Sequence, residues 1–126
     1  KIPLVSTQTD NNGVMGYVDL KPLFKAPAIT VGRITGKAYV QPFDFVTVPD
    51  DIYVLKPTEN YDIKMLIYFA NIVSYEGWRF NYSRKATPER LENLDVYLPV
   101  DAKGNIDFSY MTKIIDASYG SDKLIA

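Results

Sequence analysis

The chain has 126 residues, the span of one domain, and its 47% hydrophobic, 23% charged and 13% aromatic content suits a chain that buries a core, which excludes a disordered polypeptide. It contains no cysteine and no histidine. That excludes disulfides, thiolate nucleophiles, sulfur-held metals and the usual neutral-pH general base, so any catalysis would rest on carboxylates, Lys, Tyr, Ser or Thr. A net charge of -1 lacks the bulk basicity of a free-standing nucleic-acid binder, and no apolar run approaches the roughly 20 residues of a membrane span.

In chain order, Leu4 to Ser6 predicts a short strand, Asn12-Gly13 a tight turn because both residues tolerate positive φ, and Val14 to Leu20 a second strand. Ala28 to Ile34 alternates as a strand, with Gly32 and Gly36 marking a bend and a turn. Tyr39 to Val48 continues the β pattern with Pro42 as an interruption, and Ile52 to Leu55 is a further strand. The period then changes. Ile63 to Tyr75, capped by Asp62 and stopped near Gly77, carries apolar residues on nearly every face and predicts a helix buried on most sides. Thr87-Pro88-Glu89-Arg90 opens a short helix, Asp95 to Val100 predicts a strand ended by Pro99, and Phe108 to about Ser118 predicts a last helix capped by Asp107. The expected class is α+β: a mixed, twisted β body with a buried helix and further helices in the C-terminal half. The start, Lys1-Ile2-Pro3-Leu4-Val5, has neither an initiator Met nor a signal-peptide pattern, so residues 1–126 are expected to be one domain excised from a longer soluble protein.

Charge is segregated. Residues 1–43 and 77–90 each carry a net +3, while 44–76 carry -4 and 91–126 carry -3. Two basic blocks could therefore meet on one face and create a local positive potential that the total conceals. The second block is the most suggestive stretch: Arg79, Arg84, Lys85 and Arg90 suit phosphate contact, and Asn81, Tyr82 and Ser83 among them suit base edges. A solvated loop is the plain alternative. Arg33 and Lys37 are further phosphate candidates, and the polar loop with Thr7, Gln8, Asn11 and Asn12 offers amides and a hydroxyl that could read bases or simply close a hairpin. Trp78 reads as a core or rim residue. Asp50, Asp62 and Lys64 fit the loose PD…(D/E)xK spacing of Mg-dependent nucleases, although Asp62 caps a helix here where those enzymes use a core strand. Ten tyrosines with Trp78 leave a glycan-binding or other ligand-binding module as another reading.

From Ile2 to about Ile115 the order of features resembles one family. Ile2-Pro3-Leu4-Val5-Ser6, Asn12-Gly13-Val14 leading to Gly16-Tyr17-Val18, and the pair Ile29-Thr30-Val31-Gly32 and Gly36-Lys37-Ala38-Tyr39 are similar to a target recognition domain. So are Asp51-Ile52-Tyr53-Val54-Leu55, the apolar helix, Phe80-Asn81-Tyr82-Ser83-Arg84-Lys85-Ala86, Arg90-Leu91 and Leu98-Pro99. Such domains belong to specificity subunits of type I and type I-like restriction-modification systems. The tail Gly104-Asn105-Ile106-Asp107-Phe108-Ser109-Tyr110-Met111 resembles type IIB and IIG relatives, and departs from the type I ending in which Leu-Pro leads directly into a spacer helix.

The resemblance implies a non-catalytic, cytoplasmic domain that reads half of a bipartite duplex-DNA site. It would direct an adenine-N6 methyltransferase and a restriction subunit or domain to that site. It implies no cofactor and no metal in this chain, with S-adenosylmethionine and Mg held by partner modules.

Overall fold

The computed structural model describes residues 1–79 and 84–118. In it the chain is α+β, with two three-stranded sheets followed by three helices among the described residues. The first sheet has the order β2 (Val14–Val18), β1 (Ile2–Val5), β5 (Val46–Thr47), with β1 antiparallel to β2 and parallel to β5. The second, wholly antiparallel, has the order β4 (Ala38–Gln41), β3 (Ala28–Gly32), β6 (Ile52–Leu55), so that Ile29 faces Val40 and Leu55, and Val31 faces Ala38 and Tyr53.

The central strand β3 explains its own composition. Ile29 and Val31 pack with Leu66, Ala70 and Val73 of helix α1 (Ile63–Tyr75), while Ala28 joins Val5, Val14 and Phe45 in a second core. A strand covered on both faces must be apolar or internally satisfied throughout. The polar member, Thr30, meets this demand: its hydroxyl accepts from Gln41 Nε2 at 3.1 Å.

The outer edge of β4 is also closed. Ser74 Oγ accepts from the Ala38 N–H at 2.8 Å and donates to the Ala38 carbonyl at 3.1 Å, and Asn12 Nδ2 donates to the Val40 carbonyl at 2.8 Å. An edge strand so covered offers less backbone for pairing with another chain.

The helices begin where their caps predict. Asp62 accepts from the Met65 N–H at 2.9 Å, Thr87 from the Arg90 N–H at 3.1 Å to open α2 (Pro88–Glu92), and Asp107 from the Tyr110 N–H at 2.9 Å to open α3 (Phe108–Asp116). Only Leu66, Ala70 and Val73 of α1 are fully buried. The expectation of burial on most sides is softened to one buried stripe flanked by half-buried faces, with Asn71 and Tyr75 exposed. Helix α3 packs against α1, buries Met111 and Ile115, and is tied to it by the Lys64–Asp116 ion pair.

The expected strand over Asp95 to Val100 does not form. The stretch is irregular apart from one bridge between Val100 and Ile106, and Tyr97 is 87% exposed. Pro99 has no N–H to donate, its carbonyl is taken by the Asp107 N–H at 2.9 Å, and the chain reverses at once through a turn in which Asp101 accepts from Lys103 and Asn105.

Candidate nucleic-acid interface

The turn between β3 and β4 carries Arg33 and Lys37. Gly36, at φ 69, lets the chain reverse there, with the Gly36 N–H on the Gly32 carbonyl at 2.9 Å and the Gly32 N–H on the Lys37 carbonyl at 3.0 Å. Two segments of the second basic block are stitched to this turn. Gly77, in the 3₁₀ turn Glu76–Arg79 that follows α1, comes so close that a Cβ there would lie 2.8 Å from the Thr35 carbonyl oxygen. Ala86, fully buried, donates its N–H to the Arg33 carbonyl at 2.5 Å. The fold thus brings the Arg33–Lys37 turn of the first basic block against the second block at one end of the second sheet.

An open cleft of about 610 Å³ lies on the second block. Arg79, Arg84 and Arg90 line it, with Thr87, Glu89, Asn93 and Asp95 alongside. Arg79 and Arg84 are exposed, and Lys85 and Arg90 half-buried. Arg79 is steadied by Glu76, with Nε to Oε2 at 2.7 Å, and by the Trp78 ring, 4.5 Å from its guanidinium carbon. Trp78 itself is 71% exposed and so belongs to the surface. Arg90 holds the preceding segment in place by donating from Nη1 to the Lys85 carbonyl at 2.6 Å.

Arg33 is placed differently. Its guanidinium lies 5.0 Å from the centre of the Tyr53 ring and donates to the Asp50 carbonyl, bracing a turn in which Asp50 holds φ 69. Its Nε is buried without an acceptor among the described residues. Lys37 is exposed.

The polar loop stands apart from this cluster. Gln8 Nε2 donates to the Val14 carbonyl at 2.7 Å, Asn11 Nδ2 to the same carbonyl at 3.0 Å, and Asn12 Nδ2 to Val40. Buried Gln41 answers by donating to the Asn12 carbonyl at 3.0 Å. These amides clamp a hairpin turn, with Asn11 and Asn12 in the left-handed region, onto the far end of β4 from Arg33 and Lys37. Thr7 is half-buried in the same loop. Asn81, Tyr82 and Ser83 lie outside the described residues.

Of the residues of the nuclease reading, Asp62 and Lys64 have their side chains engaged in structure and Asp50 its backbone. Asp50 gives its carbonyl to Arg33, Asp62 caps α1, and Lys64 pairs with Asp116 across to α3. No group of three or more carboxylates close enough to hold a metal occurs among the described residues. No helix among them is long and apolar enough to cross a membrane.

Sequence reasoning misses Glu89, Asn93 and Asp95 as cleft residues. The Thr87-Pro88 helix start is a usable signal, because it sets Glu89 and Asn93 four apart on one helical face. Nothing in the sequence marks Gln41 and Ser74 as internal clamps, since their partners lie 29 and 36 residues away.

Fold and cleft together describe a small α+β domain with an arginine-lined cleft beside its β3–β4 turn, and comparison with known proteins gives that class its family. The family model for the type I restriction modification DNA specificity domain matches residues 1–122, and the chain belongs to that family. Among curated proteins, the chain is 27% identical over 117 residues to a protein of Heyndrickxia coagulans described as the type II restriction enzyme BgcI specificity subunit S.BcgI. The match covers 90% of this chain and 34% of that protein, so the chain spans about a third of its relative's length. No solved structure matches the chain.

Proposed function

We propose that this domain reads one half of a bipartite duplex-DNA site and directs an adenine-N6 methyltransferase, together with a restriction module, to it. The observation that carries this reading is the meeting of the Arg33–Lys37 turn with the second basic block, held by the Ala86 N–H on the Arg33 carbonyl and by Gly77 against Thr35, beside a cleft lined by three arginines. Phosphate contacts supply most of the salt-dependent affinity for DNA, and a net charge near zero does not prevent them where basic groups are locally concentrated. In this reading Arg79, Arg84, Lys85 and Arg90 anchor phosphates, with Lys37 at the margin. Chemistry belongs to the partners, which would hold S-adenosylmethionine and Mg, and the domain supplies position.

The test replaces Arg84 and Lys85 together with Ala. Affinity should fall by similar factors on all duplex sequences, and the slope of log K against log salt should become shallower by about 1 for each phosphate that is no longer neutralised. Unchanged affinity and slope in the assembled enzyme would remove these residues from the interface.

A further inference from the structure

We infer that the arginine-lined cleft reads bases through its own carboxylates, Glu89 and Asp95, and that it selects a base edge offering an exocyclic amino group. The inference rests on the duplex-DNA reading above and deepens it. Glu89 stands in the first turn of α2 and Asp95 three residues past its end, both exposed and both on the same cleft as Arg79, Arg84 and Arg90. Among the described residues Arg79 pairs with Glu76, and no ion pair joins Glu89 or Asp95 to Arg79 or Arg90.

A carboxylate on a surface that must approach a polyanion opposes binding unless it meets a donor. It is acceptor-only, and phosphates and sugar-ring oxygens offer it nothing. In the major groove the complementary groups are the N4 amino group of cytosine and the N6 amino group of adenine. Three arginines can hold flanking phosphates while the two acids test the edge between them. Guanine O6 and N7, and thymine O4, present acceptors to the same carboxylates and are repelled. Asn93 adds rigidity, since its Nδ2 donates to the Glu89 carbonyl at 2.9 Å and ties the start of α2 to its end.

The experiment selects duplexes from a randomised library with the full-length protein assembled with its methyltransferase partner, as wild type, Glu89→Ala, Asp95→Ala and, as a charge control, Glu92→Gln. Glu92 is exposed and borders a different depression. Wild type should demand cytosine or adenine at one or two positions where Glu89→Ala or Asp95→Ala has lost about 10-fold or more of its preference. Both variants should meanwhile bind random duplex at least as tightly as wild type.

A second arm needs no variant. Duplexes carrying purine for adenine or 2-pyrimidinone for cytosine at those positions should lose the same factor on the wild-type protein, and they show which amino group is read. An unchanged motif in both carboxylate variants, or the same loss of preference in Glu92→Gln, overturns the inference while leaving the duplex-DNA reading in place. Failure of wild type to select any motif overturns both.

Discussion

At Gly77 a single added carbon would meet the Thr35 carbonyl oxygen at 2.8 Å and the Gly36 backbone at 3.4 Å. Backbone cannot yield as a flexible side-chain tip would. Gly77→Ala should therefore push the 3₁₀ turn off the β3–β4 turn, lowering stability by about 1–3 kcal/mol in denaturant unfolding and weakening DNA binding with it. Asn12 carries a different lesson. It looks like a base reader by residue type, yet its side chain serves Val40 and its backbone sits at φ 56. Residue type shows what hydrogen bonds a side chain can make; only the fold shows that a carbonyl 28 residues away takes them. Tyr39 shows the same dependence in its titration. Burial, and after it the negative charge of Asp10, pushes the phenol above its ordinary value of 10.0. A group whose folded pKa exceeds its unfolded pKa contributes stability that is present below about pH 10 and lost as pH rises through the folded value. The unfolding midpoint should thus fall as pH rises above about 10, and fall less in Tyr39→Phe.

Elements are legible where their signals are local. Asp62, Thr87 and Asp107 each read as a helix cap from sequence, and each accepts an N–H three residues on. Loss of the Thr87 hydroxyl in Thr87→Ala should cost about 1 kcal/mol, and because α2 has only five residues the effect should show first as faster hydrogen exchange at the Arg90 amide. Leu66→Ala, by contrast, opens a void between α1 and the second sheet and should lower global stability by about 2–5 kcal/mol in denaturant unfolding. The strand expected over Asp95 to Val100 fails although its residues have strand-like character: Pro99 has no N–H to donate, its carbonyl is taken by the Asp107 N–H, and the chain turns back at Asp101.

For the whole molecule, the near-cancelling net charge is a poor guide to its surface. The Arg33–Lys37 turn and the second basic block, separated by more than thirty residues of acidic sequence, meet because β3 and β4 reverse at Gly36 and α1 returns the chain to that same turn. With no histidine and no cysteine, no side chain has an ordinary pKa between about 5 and 8. The proposed DNA affinity should accordingly stay level from about pH 6 to 8 while falling steeply with salt, which fluorescence anisotropy can follow. The sequence by itself determined the α+β class, the helix starts, the β3–β4 turn, the absence of thiol and imidazole chemistry, and, through ordered short motifs, the family. All of these depend on composition or on residues close in the chain. Tertiary structure decided which basic groups stand together, that Arg33 and the amides of Gln8, Asn11 and Asn12 are engaged internally, and that Glu89 and Asp95 share a cleft with three arginines. Those outcomes depend on hydrogen-bond partners and neighbours that chain folding brings from far along the sequence, where no local pattern marks them.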